Sequence, residues 1–268
     1  MKEEYYADNL KLWDERAESH LDSPLYNMSS FKGGETSLTH IELGMLGDVR
    51  DKSILHLQCH FGQDTLSLAR MGAKVTGVDF SGTAIKNAKE LNDELGLDGQ
   101  FIQSDIYSLD KKLDEKFDIV FTSYGVLKWL NDIGRWGEIV SHFIKDNGNF
   151  YIVEFHPFLY VFDYDNAETI NNSYFVDETP ISYDEIGTYA DPKHYDKVRK
   201  AHSWPHPVSH VISVLIDSGL TIKSFTEYPY STIDCFPFVR RISKEKYVHN
   251  KFPEMVPFLY SISATKCS

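Results

Sequence analysis

Long apolar runs are missing from this chain of 268 residues: no stretch is long enough to cross a bilayer. The opening MKEEYYADNLKLWDERAESH is charged throughout and has no apolar core followed by a small-residue cleavage site. Cysteine is scarce. Cys59, Cys235 and Cys267 are odd in number and widely spaced, with no C-x-x-C pair, which argues against a disulfide framework and a thiolate zinc site. A reducing compartment fits, and a cytoplasmic protein is expected. Positive charge is short too: 27 Lys and Arg against 40 Asp and Glu leave −13, with no basic stripe, which argues against nucleic acid as partner. An acidic field suits a cationic ligand. There is no internal repeat and no low-complexity tract. What remains, 42% hydrophobic and 25% charged residues, is the balance of a globular protein large enough to build its core without a staple.

Over residues 52–157, short β-branched or aromatic runs alternate with helical patterns, the signature of consecutive βαβ units in a parallel sheet. Strands are expected at 53–58, 74–79, 100–103, 117–122 and 150–155. Their nearly continuous apolar runs predict helices on both faces. Ser81 should cap a helix that Gly96 stops, and another helix should run over 64–71 to Gly72. A third should start behind Pro205 and Pro207, bury Val208, Val211, Ile212, Leu215 and Ile216, and end at Gly219. TIKSFTEYP and VPFLYSISATK read as sixth and seventh strands, the last antiparallel at or near an edge. Two segments break the rhythm. Residues 1–48 are helical at first and loop-like over SSFKGGET; residues 156–204 are rich in Tyr, Asp and Pro and too long for an unstructured connection. The expected layout is one domain over 1–268, with 1–48 an N-terminal helical extension and 156–204 a substrate cover.

In an open parallel sheet, ligands bind beyond the carboxyl ends of the strands where strand order reverses. Asp79 ends the second strand 17 residues past Gly62, where a carboxylate accepts hydrogen bonds from ribose hydroxyls. Phe80 beside it is placed to cover an adenine face or to fill core. A dinucleotide pyrophosphate needs G-x-G-x-x-G so that bare backbone can reach the phosphates. Here Gln58, Cys59, His60, Phe61 and Gly62 offer one glycine, and Asp64 would repel a phosphate at the helix start. That argues against a nicotinamide dinucleotide and admits a ligand with a ribose and a cationic centre. Cys59 and His60, without further ligands nearby, read as a tight-turn pair rather than a metal site.

The ordered series HLQCHFGQDT, VTGVDFS, QSDIYS and FDIVFTSYGVLKWL resembles the class I S-adenosylmethionine-dependent methyltransferases over about residues 50–157. The resemblance implies a Rossmann-like α/β fold: a seven-stranded, mostly parallel sheet with the last strand reversed, helices on both faces, and S-adenosyl-L-methionine over the ends of strands one, two and four. Carried over, Asp79 binds the ribose hydroxyls, Asp105 accepts from the adenine amino group, and Ile106 packs on the adenine. Gln58, Cys59, His60 and Gly62 pass the methionine part, with Asp64, Phe80 and Thr122 completing the implied cofactor set. For Asp105 the other reading is a cap for the next helix. The family's usual first motif, an acid followed by G-x-G-x-G, is altered: His56 stands at the acid, Gln58 and His60 at the first two glycines. Histidine tolerates a left-handed backbone better than most residues, so a rewired loop is expected to keep its turn at His60.

The function so implied is methyl transfer to a small-molecule acceptor, without nucleic acid or membrane as partner. A non-catalytic binding module on the same fold is the rival that the altered loop favours, and a nicotinamide-dependent reductase is the third reading. Methyl transfer from a sulfonium is an in-line displacement, so the enzyme chiefly aligns the acceptor and excludes water. If a base is needed, His156 and Tyr124 follow strands five and four, although His156 before Pro157 could simply cap a strand end. Tyr124, Trp129 and Trp204 would line an aromatic acceptor pocket unless they are core. His202 and His206 flank Trp204. Leu10, Trp13 and Ala17 share a face of the first helix, which folds over the cofactor or docks on the sheet's flank.

Overall fold

The computed structural model describes residues 3–175, 178–190 and 197–267. Residues 176–177 and 191–196 of the expected cover therefore lie outside the described residues. Five parallel strands arise where the apolar runs predicted them: β1 Ser53–Leu57, β2 Lys74–Asp79, β3 Gln100–Gln103, β4 Phe117–Ser123 and β5 Ile144–Phe155. β6 Ile181–Ile186 and β7 Val198–Ser203 form a separate antiparallel ribbon, and after β8 Leu220–Tyr228 a second ribbon joins β9 Val239–Ser243 to β10 Lys246–His249. β11 Leu259–Lys266 completes a seven-stranded sheet of order β3-β2-β1-β4-β5-β11-β8, pairing antiparallel with both neighbours. The reversed strand thus lies one place in from the edge. Strand order reverses between β1 and β4, so the ligand crevice should open there.

Seven α-helices surround the sheet among the described residues: α1 Glu3–His20, α2 Met28–Lys32, α3 His40–Leu46, α4 Gln63–Arg70, α5 Gly82–Glu94, α6 Ile133–Phe143 and α7 Val208–Asp217. Neighbouring strand residues feed opposite layers. Leu55, Leu57 and Val120 pack with Trp136 and Phe143 of α6 and with Val211 and Leu215 of α7, while Ile54, Ile119 and Phe121 pack with Leu46 and Leu68 from the other side. Both faces are therefore dry, as the strand sequences required. None of the described helices is long and apolar enough to cross a membrane.

Local signals hold at several ends. The Ser81 side chain accepts from Ala84 N–H, and Gly72, Gly96 and Gly219 all take positive φ. Three expectations shift. On α7 it is Val214 that is buried, while Ile216 is 53% exposed, because the core-facing stripe runs through Val211 and Leu215. The SSFKGGET stretch begins helical in α2 and buries Phe31 against Cys59, Leu66 and Ile85. The buried stripe of α1 is Asn9, Leu12, Arg16, Ala17 and His20, leaving Leu10 and Trp13 half-buried at its margin.

Candidate active site

Beyond the ends of β1, β2 and β4 lies a cavity of about 2090 Å³, lined by all of the loop 58–62. That exceeds an ordinary ligand pocket of roughly 300–1,000 Å³ and leaves room for two molecules side by side. The loop after β1 turns through three left-handed residues: Gln58 at φ 57°, His60 at 52° and Gly62 at 78°. Two of them carry side chains, at an intrinsic cost of about 1–2 kcal/mol each, and the neighbours hold them in place. His60 N–H donates to Asp79 Oδ2 at 2.9 Å, and Gln58 Nε2 donates to the carbonyl of Val126 at 3.2 Å. The His60 ring lies 2.9 Å from His20 Nδ1, and His20 Nε2 lies 2.6 Å from Thr188 Oγ1. The loop thereby joins α1 to the segment over the cavity.

Asp79 is buried at the end of β2, with Oδ1 accepting from Ser81 N–H at 2.9 Å. Burial pushes its carboxyl up to about 6 against the backbone donors that favour the charge. Two N–H groups use only part of a carboxylate's acceptor capacity, so further donors can be taken. Asp105 caps the turn Ile106–Lys111 through Tyr107 N–H at 3.2 Å, so the capping reading holds, and its carboxylate also lines the cavity beside buried Ile106. Phe80 meets Tyr6 of α1 edge-on at 5.9 Å. Asp64 accepts from Ser37 Oγ at 2.6 Å and Ser123 Oγ at 3.1 Å at the cavity wall. The buried Cys59 packs against Phe31 and Phe101, its thiol pushed well up by burial. Among the described residues no group of three metal-ligating side chains assembles. Helix α1 sends Tyr6, Asn9, Trp13 and Arg16 to the cavity and fastens Asp14 to Ser81 Oγ at 2.5 Å, so it folds over the site.

The other end of the cavity is aromatic. Tyr124, at φ 26°, sets its hydroxyl 3.2 Å from Thr39 Oγ1 and accepts from Thr232 Oγ1 at 3.1 Å. Burial, with Glu42 next, raises its phenol well above the ordinary range, so it meets the cavity as a proton-bearing group. Trp129 lies edge-on to Trp13 at 5.4 Å, and Trp13 in turn to His60 at 5.6 Å. Glu154 organises this end. Its buried carboxylate accepts from the N–H groups of Gly125, Val126 and Leu127 just after β4, and from that of Phe155. A carboxylate inside the apolar strand FYIVEF was the signal for it, since a buried charge needs such partners.

Three expected site residues are elsewhere. His156 turns Nε2 to Glu227 at 3.0 Å and caps Phe158 N–H with Nδ1 at 3.1 Å, so the capping reading holds and it does not line the cavity. Trp204 is 2% exposed and donates Nε1–H to the Glu178 carbonyl at 3.1 Å, a core role. Thr122 is fully buried within β4, opposite Leu57 and Ile152; Ser123 and Tyr124 reach the cavity in its stead. His202 pairs with Asp8 and Ser182, and His206 with the Leu130 carbonyl, both off the cavity. Residues 232–238, on which the sequence offered no expectation, also line the cavity. The length between β8 and β11 was the available sign.

Burial holds His60 down to about 3, with Arg16 adding to the effect. An unfolded histidine titrates near 6.5, so as pH falls from about 6.5 to about 3 the unfolded chain takes a proton that the folded site refuses, and stability falls. His60→Asn keeps the left-handed turn and removes the titration. It should flatten the pH dependence of stability by up to about 1.4 kcal/mol per pH unit in that window, read as urea midpoints at pH 5 and 7. A uniform offset at both pH values would contradict it.

Residues 54–148 match the family model described as a methyltransferase domain. Over 172 residues the chain is 27% identical to phosphoethanolamine N-methyltransferase 1 of Triticum aestivum, covering 60% of this chain and 30% of that protein. Over 103 residues it is 28% identical to ubiquinone biosynthesis O-methyltransferase of Serratia proteamaculans, covering 38% and 42%. The chain thus spans less than half the length of these curated relatives. Among solved structures, an S-adenosylmethionine dependent methyltransferase from Mesorhizobium loti superposes with a TM-score of 0.56 at 20% identity, over 83% of this chain and 94% of that one.

Proposed function

We propose that this chain, which has the class I S-adenosylmethionine-dependent methyltransferase fold and a methyltransferase domain over residues 54–148, methylates a small-molecule acceptor. The observation that carries the reading is Asp79. It stands buried at the end of β2, fixes the left-handed loop through His60 N–H, and faces the same cavity as Asp105, Ile106 and Tyr124. The donor set fits the cofactor. Gln58 Oε1 is buried without a partner at the loop, Asp79 keeps acceptor capacity for ribose hydroxyls, and Asp64, Asp79 and Asp105 give a cationic ligand a negative wall.

When bound, S-adenosylmethionine supplies an electrophilic methyl group on a sulfonium. The chain's own part is alignment and dryness. Asp79 and the 58–62 loop hold the nucleoside end, Asp105 and Ile106 the base, and α1 closes over them through Trp13. Glu154 fixes the 125–127 backbone, so Tyr124 and Trp129 form a rigid wall for the acceptor. Residues 156–204 act as a substrate cover, supported by Tyr160, Tyr183 and Tyr189 at the cavity. Such an aromatic-lined enclosure suits a small molecule better than a polymer. A cytoplasmic location goes with three free cysteines. The non-catalytic rival rested on the altered loop, and the left-handed conformation at Gln58, His60 and Gly62 removes that support.

Calorimetry with S-adenosylhomocysteine should give micromolar binding, and labelled S-adenosylmethionine with a metabolite extract should yield a labelled small product. Tight cofactor binding with no turnover across varied extracts would return the module reading. Absence of cofactor binding would end the proposal.

A further inference from the structure

The cavity is acid-rich, yet among the described residues one cation on its wall has no acid beside it. Among the described residues lining it, Arg16 is ion-paired with Glu185 and Lys244 lies 3.7 Å from Glu245. Among the described residues no carboxylate stands within ion-pair distance of Lys128. Its ammonium sits 4.8 Å from the Trp129 ring centroid and 4.6 Å from that of Tyr160. Ring faces attract a cation without neutralising it, so the charge stays available to a ligand.

Its backbone is held on both sides. The N–H groups of the three preceding residues are held by Glu154, and the Lys128 carbonyl accepts from Trp204 N–H at 2.6 Å. The same cavity is lined by Phe155 and Phe236, 5.0 Å apart between ring centroids, and by Tyr124, 5.8 Å from Phe155. An ammonium set between two ring faces on a fixed stretch of backbone is a receptor for an anionic group on an apolar body. The remaining charge sets the orientation. Asp64, Asp79 and Asp105 repel an anion from the cofactor end, and Asp163, Asp184 and Asp234 also line the cavity, so the acid group of a ligand gains most by pairing with Lys128 itself, with the rest of the molecule free to reach toward the loop 58–62.

We propose that Lys128 selects the acceptor: the pocket takes a small aromatic molecule bearing a carboxylate, and Lys128 pairs with that carboxylate. The proposal rests on the methyltransferase reading for what happens at the molecule's other end. One ammonium balances a single negative charge, which favours a carboxylate over a phosphate dianion in this acidic cavity.

Three isosteric probes test it: indole-3-acetate, indole-3-acetamide and tryptamine, titrated calorimetrically into the protein saturated with S-adenosylhomocysteine. The acid should bind about tenfold or more tighter than the amide, the worth of one charge-assisted bond, with tryptamine weakest. Lys128→Met should bring the acid-to-amide ratio to about one, and Lys128→Arg should keep the preference. Lys128→Gln replaces the methionine variant if thermal melting shows that variant unfolded. An acid-to-amide ratio within twofold in the unaltered protein, a ratio unchanged in the neutral variants, tryptamine as the tightest probe, or no binding by any probe would each overturn the proposal. Binding of S-adenosylhomocysteine is read first in the same cell. Its absence counts against the methyltransferase reading, whereas its presence without acid preference counts against Lys128 alone.

Discussion

Asp79→Ala should weaken S-adenosylhomocysteine binding by roughly tenfold to a hundredfold, the worth of about 1.5–3 kcal/mol for hydrogen bonds to a charged group. Two losses combine. The ribose hydroxyls lose their acceptor, and the N–H groups of His60 and Ser81 lose theirs, so the left-handed loop is released as well. A second measurement separates the charge from the shape. Because burial raises this carboxyl to about 6, a ligand that needs the ionised form should bind about tenfold more weakly at pH 5 than at pH 7.5. In Asp79→Asn that pH dependence should vanish while the weaker binding remains. Calorimetry at the two pH values reads both, and affinity within twofold of the unaltered protein in the folded alanine variant removes Asp79 from the site.

Gly62→Ala should lower stability by about 2–5 kcal/mol. At φ 78° an L side chain costs about 1–2 kcal/mol. The added Cβ would stand 2.6 Å from Phe101 Cε1 and 3.1 Å from Ala88 Cβ, and overpacking of this kind costs about 1–3 kcal/mol more. For a chain of this size each kcal/mol lowers the melting temperature by about 2–4 °C, so a calorimetric scan resolves the effect easily. Phe101→Leu should restore part of the loss in the double variant, since it shortens the ring being struck while leaving the backbone strain. An unaltered melting temperature in Gly62→Ala would mean that the loop can take another path.

Gly62 also marks what could be read from the residues alone. The parallel strands, Ser81 cap and glycine stops were legible because each follows from short-range pattern, and Asp79 because its position follows from the strand before it. Gln58 was different. A left-handed glutamine has no signature of its own, and its conformation depends on the Val126 carbonyl 68 positions away. His156 and Trp204 each kept two readings for a related reason. Both residue types serve equally as site or as core, and only the Glu227 and Glu178 partners, brought in by the fold, decide between them. Lys128 and Glu154 acquire their meaning as a pair: the carboxylate that shapes the turn comes from β5, and the ammonium that the turn presents follows β4.

The reversed strand has a consequence for the order in which the molecule can be assembled. β11 stands between β5 and β8 and bonds to both, so β8 has no seat in the sheet until β11, 30 residues further along, has been made. During synthesis on the ribosome the growing chain therefore carries β5 with one edge open and β8 with both, while the β9–β10 ribbon is still emerging. Exposed edges of that kind are sites of wrong pairing between chains. The interval before β11 docks is the part of this protein's life in which it most needs a chaperone.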